Sequence, residues 1–136
     1  YFVPAPGPSL QQTARGLSWA GVVLCTATAW AYQGHSYTSI AFGGGALVLA
    51  IHLLAFPALY QFRFWAAYLL SLLPFSLVNG TLTGLPVVWY NDTENLGIRL
   101  GSIPADDLVY NLFMLLMVTT LYEAFRHRPA VATRAT

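Results

Sequence analysis

Two adjacent aspartates, Asp106 and Asp107, open a long apolar segment and are the strongest candidates for chemistry in this sequence. They end a polar insert from Asn91 to Asp107, which carries all three aspartates and one of the two glutamates of the chain. Ionisable groups near hydrocarbon are costly, so acids gathered here indicate a functional site. A carboxylic acid kept protonated in an apolar cavity can donate its proton to a weakly basic substrate. A structural alternative stays open, in which both acids complement the helix dipole.

Other polar side chains are spaced to reach the same place. Asn111 follows Asp107 by four residues, so a helix puts both on one face, where Asn111 could orient the acid or hydrogen-bond a neighbouring helix. Asn79, in the preceding apolar segment, could line the same cavity. Glu94 could be a second acid or base, or it could form a structural ion pair with Arg99. Arg99 could instead pair with an aspartate.

The composition indicates that these residues lie in or beside a lipid bilayer. Of the 136 residues, 57% are hydrophobic and 8% are charged, whereas a soluble domain carries about 25% charged residues. The net charge of +1 is too small for binding nucleic acid through its phosphates. The single cysteine, Cys25, excludes an internal disulfide and a multi-cysteine metal site. His52 has no second ligand at helical spacing, so we predict no metal and no cofactor.

Four apolar stretches are long enough, or nearly so, to cross a bilayer as helices. The first stretch is the weakest candidate for a membrane span because it is short. The expected fold is an all-α integral membrane bundle of about four transmembrane helices, with a long ordered loop before the last. The predicted spans are residues 16–32, 37–60, 64–83 and 106–125.

The arginines predict an orientation, because cytoplasmic loops of membrane proteins are rich in basic residues. Arg15, Arg63 and Arg126 flank span ends that would share one side. We therefore predict a multi-pass protein of the cell membrane with both termini in the cytoplasm. The polar insert would lie on the outer side or fold back into the bundle.

The expected domain organisation has one membrane domain, residues 15–128. Residues 1–14 are predicted to be a Pro-rich linker or a truncated N-terminal segment, and residues 129–136 a disordered tail. Because the chain starts at Tyr1 and lacks a basic leader, we expect a fragment whose N-terminal partner segment is missing.

The stretch from Phe75 to Phe125 resembles the small integral-membrane lycopene cyclases, which are heterodimeric or fused carotenoid cyclases. The resemblance is carried by VNG-LTG, by VVWYND-ENLGIR and by GSIP followed, after one residue, by two acids. It is closest to the C-terminal half of the fused bacterial form, which implies the bacterial inner membrane. The family's acid motif is commonly Pro-Leu-Glu-Glu, and here it reads Pro-Ala-Asp-Asp over residues 104–107, with acids one methylene shorter.

The resemblance implies a lycopene β-cyclase half or subunit, which forms β-carotene by way of γ-carotene without net redox change. An acid protonates a terminal double bond, a nearby double bond attacks the carbocation, and a base removes a ring proton. Asp106 and Asp107 would be the acid/base pair, with Glu94 and Asn111 in support. Aromatic π faces can stabilise such a cation. The candidates are Trp89, Tyr90, Tyr110 and Phe113.

The implied partners are lycopene or a related carotenoid, the lipid bilayer, and a homologous second half or further copies of this chain. Two alternatives stay open. The chain could be a non-catalytic membrane module that binds a carotenoid or assembles a partner complex. It could also be a cyclase that acts on C50 carotenoids or makes ε or γ ends.

Overall fold

The computed structural model describes residues 6–56, 58–85 and 87–126. Four helices form an all-α bundle, which confirms the predicted fold class, and a small antiparallel hairpin lies before the last helix. The elements are α1 (Pro8–Ala31), α2 (Ser36–Ala55), α3 (Ala58–Gly84), β1 (Arg99–Leu100), β2 (Ile103–Pro104) and α4 (Ala105–Arg126).

Three of these helices, α2, α3 and α4, are long and apolar enough to cross a membrane. Helix α1 is not among them, although it covers the first predicted span. It begins at Pro8, inside the predicted linker, where proline is well tolerated because a first-turn N–H needs no helical acceptor. The tail predicted at 129–136 lies outside the described residues.

Helix α2 lies at the centre of the bundle, between α1 and α4. Small residues on α2 and on α1 allow the helices to approach closely. A Cβ on Gly44 would lie 3.1 Å from the Phe113 ring, and a Cβ on Gly21 of α1 would lie 3.1 Å from Leu49. The buried core joins α2, α3 and α4 through Leu49, Leu53, Phe64, Tyr68, Leu112 and Leu116.

Helix α3 is held at a few defined points. Trp65 Nε1 donates to Ser18 Oγ at 2.7 Å, and Tyr68 Oη donates to the Leu108 carbonyl at 3.0 Å. Along its second half, large apolar side chains such as Leu73 and Leu77 are more than 70% exposed. This face is therefore available to lipid or to another chain.

The insert is an ordered loop that is fastened to the start of α2. The Glu94 carbonyl accepts from the backbone N–H groups of Tyr37 and Thr38 at 3.0 and 3.3 Å. Arg99 pairs with Pro104 across the hairpin, whose turn begins at Gly101 with φ +63°. A left-handed glycine suits such a two-residue turn. The insert therefore holds the start of α4 against the start of α2.

Candidate functional site

The two aspartates lie where four parts of the chain meet: the starts of α2 and α4, the end of α3, and the insert. Asp106 is 0% exposed and Asp107 is 4% exposed. Both belong to the first turn of α4, and each has partners from distant segments. Buried polar groups need such partners, because an unsatisfied one costs free energy of folding.

Asp107 is surrounded by three side-chain donors from three different elements. Tyr37 Oη donates to Oδ1 at 2.5 Å. Asn79 Nδ2 and Tyr90 Oη donate to Oδ2 at 2.6 and 2.7 Å. Donors in this number stabilise negative charge on a carboxyl group. This arrangement could hold a carboxylate that forms when Asp107 gives up a proton.

Asp106 has a different environment because adjacent helix positions point about 100° apart. Its Oδ1 accepts from Thr38 Oγ1, and its Oδ2 accepts from the backbone N–H of Leu96 at 3.1 Å. These partners enclose the side chain completely. Asp106 therefore ties α4 to both α2 and the insert.

Glu94 lies at the N-terminus of α2 and contacts Ser36, not Arg99. Its carboxylate accepts from the Ser36 backbone N–H at 3.0 Å and from the Ser36 hydroxyl. The first N–H groups of a helix have no acceptor within the helix, so an acid is favourable there. Arg99 pairs with Asp92 and donates to the Ser102 carbonyl at 3.0 Å.

These contacts shift the ionisation of the insert's exposed acids. The hydrogen bond from Arg99 lowers the pKa of Asp92, and the hydrogen bonds from Ser36 lower the pKa of Glu94. Burial and the hydrogen bond to Asp107 raise the pKa of Tyr90 to about 12. Tyr90 therefore keeps its proton at neutral pH and can donate a hydrogen bond through its hydroxyl.

The attachment of the insert to α2 is expected to weaken at acid pH. Asp92 and Glu94 both have a lower pKa in the folded chain than in the unfolded chain. Their contribution to stability is therefore complete at a pH above their unfolded pKa values, and it is lost as the pH falls through their folded pKa values. The loss should thus lie below about pH 4. Hydrogen exchange of the Tyr37 and Thr38 amides, measured in detergent between pH 3 and 6, tests this after correction for intrinsic exchange.

Glu94→Gln provides the control for that experiment. Glutamine can still accept from Ser36 but has no charge to lose, so the acid-dependent part of the amide protection should shrink. The expectation is contradicted if the native chain and the Glu94→Gln variant lose protection identically as pH falls.

A row of aromatic rings begins beside the acid with Tyr90 and Tyr37 and continues along α4 with Tyr110 and Phe113. The ring centroids of Tyr37 and Tyr90 are 5.9 Å apart, those of Tyr37 and Tyr110 are 6.2 Å apart, and those of Tyr110 and Phe113 are 6.0 Å apart. Trp89, by contrast, is 82% exposed. The row thus contains Tyr90, Tyr110 and Phe113 of the four candidate cation-stabilising rings, and Trp89 is the most exposed of the four.

The two predicted asparagines occupy different environments. Asn79 contacts Asp107 directly, as described above. Asn111 is half-buried, and its Nδ2 has no hydrogen-bond partner among the described residues. Asn111 and Asp107 lie on the same face of α4 but do not hydrogen-bond to each other, because the Asp107 carboxyl group points toward the insert and the end of α3.

Tyr37 and Thr38 were missed by the sequence reasoning. Both lie at the start of α2 and contact residues about 70 positions away in the chain. The predicted topology contained the signal, since it put the starts of α2 and α4 on the same side of the membrane. No group of three or more histidine, cysteine or acidic side chains that could hold a metal ion occurs within the described residues.

Comparison with known proteins assigns the chain to a family. The family model described as lycopene cyclase matches residues 34–125. That range contains the hydrogen-bond partners of the two aspartates among the described residues, and it includes the stretch on which the resemblance was based. No curated protein and no solved structure matches the chain. The family supports a role in carotenoid cyclisation, and the chain belongs to the lycopene cyclase family.

Proposed function

We propose that this chain is a half or a subunit of a lycopene β-cyclase, which closes the ψ end groups of lycopene into β-ionone rings. The observation that carries the proposal is the buried carboxyl of Asp107 with its three donors, within the region that matches the family. The reaction moves one proton onto the substrate and removes another from the ring. It therefore requires a group that can give and take a proton in an apolar setting.

Asp107 is the residue that we assign to this proton transfer. In its protonated form it gives its proton to a terminal double bond of the substrate. The resulting carboxylate is stabilised by Tyr37, Asn79 and Tyr90, whose donors already point at its oxygens. Preorganised donors of this kind lower the cost of charge that develops during reaction. The same carboxylate can then remove a ring proton and restore the starting state.

Asp106 has a positioning role in this proposal. Its oxygens are occupied by Thr38 and by the Leu96 backbone N–H, and its side chain is fully enclosed. It holds the first turn of α4 so that Asp107 meets its donors. Glu94 has a similar supporting role, because it closes the N-terminus of α2 beside Tyr37.

The aromatic row supplies stabilisation for a carbocation. Tyr37 and Tyr90 both donate to Asp107 and lie beside one another, and Tyr110 continues the row. A cation that forms next to the acid would meet their π faces. A site bounded by rings and lipid also keeps water away from the cation.

Production of cyclic carotenoids in a lycopene-accumulating bacterium tests the function. The chain is expressed alone and together with the N-terminal half of a fused cyclase, and extracted pigments are separated by chromatography. We expect γ- and β-carotene in at least the paired strain. Unchanged lycopene in both strains, with the protein inserted in the membrane, would contradict the proposal.

A non-catalytic carotenoid-binding role is the second candidate. The observation in its favour is that the donors to Asp107 would also serve to hold α2, α3 and the insert together. Under this alternative, the purified chain retains lycopene without converting it. The same chromatography separates ε and γ ends from β ends, and a strain that makes C50 carotenoids tests the longer substrate.

A further inference from the structure

A cavity lies at the end of the bundle opposite the aspartates, between the last turns of α2 and α4 and the first turns of α3. It has a volume of about 430 Å³. Its lining combines basic, acidic and apolar side chains, and the site described above uses none of them. They are His52, Arg63, Phe64, Ala67, Thr119, Glu123 and Arg126.

His52 presents an unused hydrogen-bond donor to this cavity. The residue is 2% exposed, and its Nδ1 lies 2.9 Å from Thr120 Oγ1. The buried hydroxyl of Thr120 has no other hydrogen-bond partner among the described residues, so we assign it as the donor to Nδ1, which satisfies its hydrogen. In the neutral imidazole the proton then resides on Nε2. Nε2 is buried and has no hydrogen-bond partner in the described part of the chain, so this donor is left unsatisfied.

The charges around the cavity favour an anion as the acceptor for this donor. Arg63 is exposed at the start of α3 and makes no ion pair with another described residue. Arg126 is 3.8 Å from Glu123, a loose pair that leaves most of its guanidinium donors available. Arg63 and Arg126 carry two positive charges against the one negative charge of Glu123, so the lining has a net positive charge. Guanidinium groups match phosphate oxygens in geometry and can bind them through two hydrogen bonds.

The position of the cavity indicates where the phosphate comes from. It lies at the arginine-bearing end of the membrane helices, which is predicted to face the cytoplasm, where anionic lipid headgroups attract basic residues. Phe64 and Ala67 supply apolar walls beside the polar base. A phosphate attached to a hydrophobic chain fits this combination better than a free ion does.

We propose that this cavity binds the phosphate of an anionic membrane lipid, with His52 Nε2–H donating at its base and Arg63 and Arg126 pairing with it at its rim. The lipid would contact α2, α3 and α4 together, since all three helices line the cavity. The site is separate from the carotenoid chemistry and does not depend on it.

Native mass spectrometry of the purified chain with added phosphatidylglycerol tests the proposal. We expect the lipid to bind more tightly than phosphatidylcholine, whose ammonium group would meet the arginines. Arg63→Gln should weaken phosphatidylglycerol binding about fivefold, the effect of losing one basic residue at a lipid surface. Arg15→Gln is the matched control, because it removes the same charge from the same end of the bundle without altering the cavity, and it should leave binding unchanged.

His52→Asn separates the histidine from the arginines. Asparagine retains an acceptor for the Thr120 hydroxyl, but its amide group is shorter than imidazole and does not reach the position of Nε2. Lipid binding should therefore weaken while thermal stability without lipid stays close to native. Equal losses in Arg63→Gln and Arg15→Gln would overturn the proposal, since they would show nonspecific attraction. Inorganic phosphate that displaces the lipid at equal concentration would overturn the lipid as the occupant.

Discussion

Replacing Asp107 with asparagine is expected to lower ring formation by about 100-fold or more, the range that general acid–base groups contribute. Asparagine has nearly the same size but carries no proton that it can give to an alkene. The amide nitrogen of asparagine would also replace one of the two accepting oxygens. Either Tyr37, or Asn79 and Tyr90, would then lose the acceptor of its hydrogen bond. The measurement is the ratio of cyclic carotenoids to lycopene in the host described above, normalised to the amount of membrane-inserted protein.

Asp92→Asn is the matched control for this prediction. Asp92 is an acid of the same insert, but its side chain is 59% exposed and pairs with Arg99. Its replacement removes one negative charge from the same loop and should leave most of the activity in place. Asp106→Asn should fall between the two, with a loss that follows looser attachment of the insert. Full activity of Asp107→Asn would remove this residue from the mechanism.

The membrane helices could be predicted because their boundaries carry clear chemical signals. The predicted last span, 106–125, agrees with α4 within one residue at each end, since Pro104 and the two acids mark its start. The start of α1 could not be found in the same way. Its first turns contain Gln11, Gln12 and Arg15, whose polarity ends a hydropathy-based span although the backbone continues as a helix.

The site was predicted only as far as local spacing extends. The acids and Asn79 could be named because polar residues are conspicuous in apolar segments. The roles of Tyr37 and Thr38 depend on contacts between α2 and α4, which lie about 70 residues apart in the chain. A tyrosine at the start of a helix carries no mark of such a contact, because its ring is equally suited to a membrane interface.

The insert illustrates how backbone groups compete for charged side chains. Spacing alone left Glu94 and Arg99 as possible partners. In the folded chain the Glu94 carboxylate accepts a hydrogen bond from the backbone N–H of Ser36 at the start of α2. Arg99, which lies in the hairpin, pairs with Asp92 instead. Helix ends become attractive to acids only after the fold has brought them near. Sequence spacing could not include that competition.

Tyr37→Phe is expected to lower ring formation about tenfold, because a hydrogen bond to a charged group is lost while the ring remains. Phenylalanine keeps the contacts with Tyr90 and Tyr110 but leaves Asp107 Oδ1 without its donor. Tyr37→Leu also removes the π face and should cost about another factor of ten, the scale of a cation–π interaction in a dry site. The same pigment ratio measures both changes.

The difference between these two variants distinguishes the two roles of Tyr37. If the hydroxyl alone mattered, Tyr37→Phe and Tyr37→Leu would be equally impaired, and the ring would have no part in stabilising a cation. If the ring alone mattered, Tyr37→Phe would keep native activity. Tyr122 offers a matched pair of controls on α4, since it is 61% exposed and lies far along the helix from the acids. Tyr122→Phe and Tyr122→Leu should both remain near native activity, so that a loss confined to Tyr37 reports on the site beside Asp107.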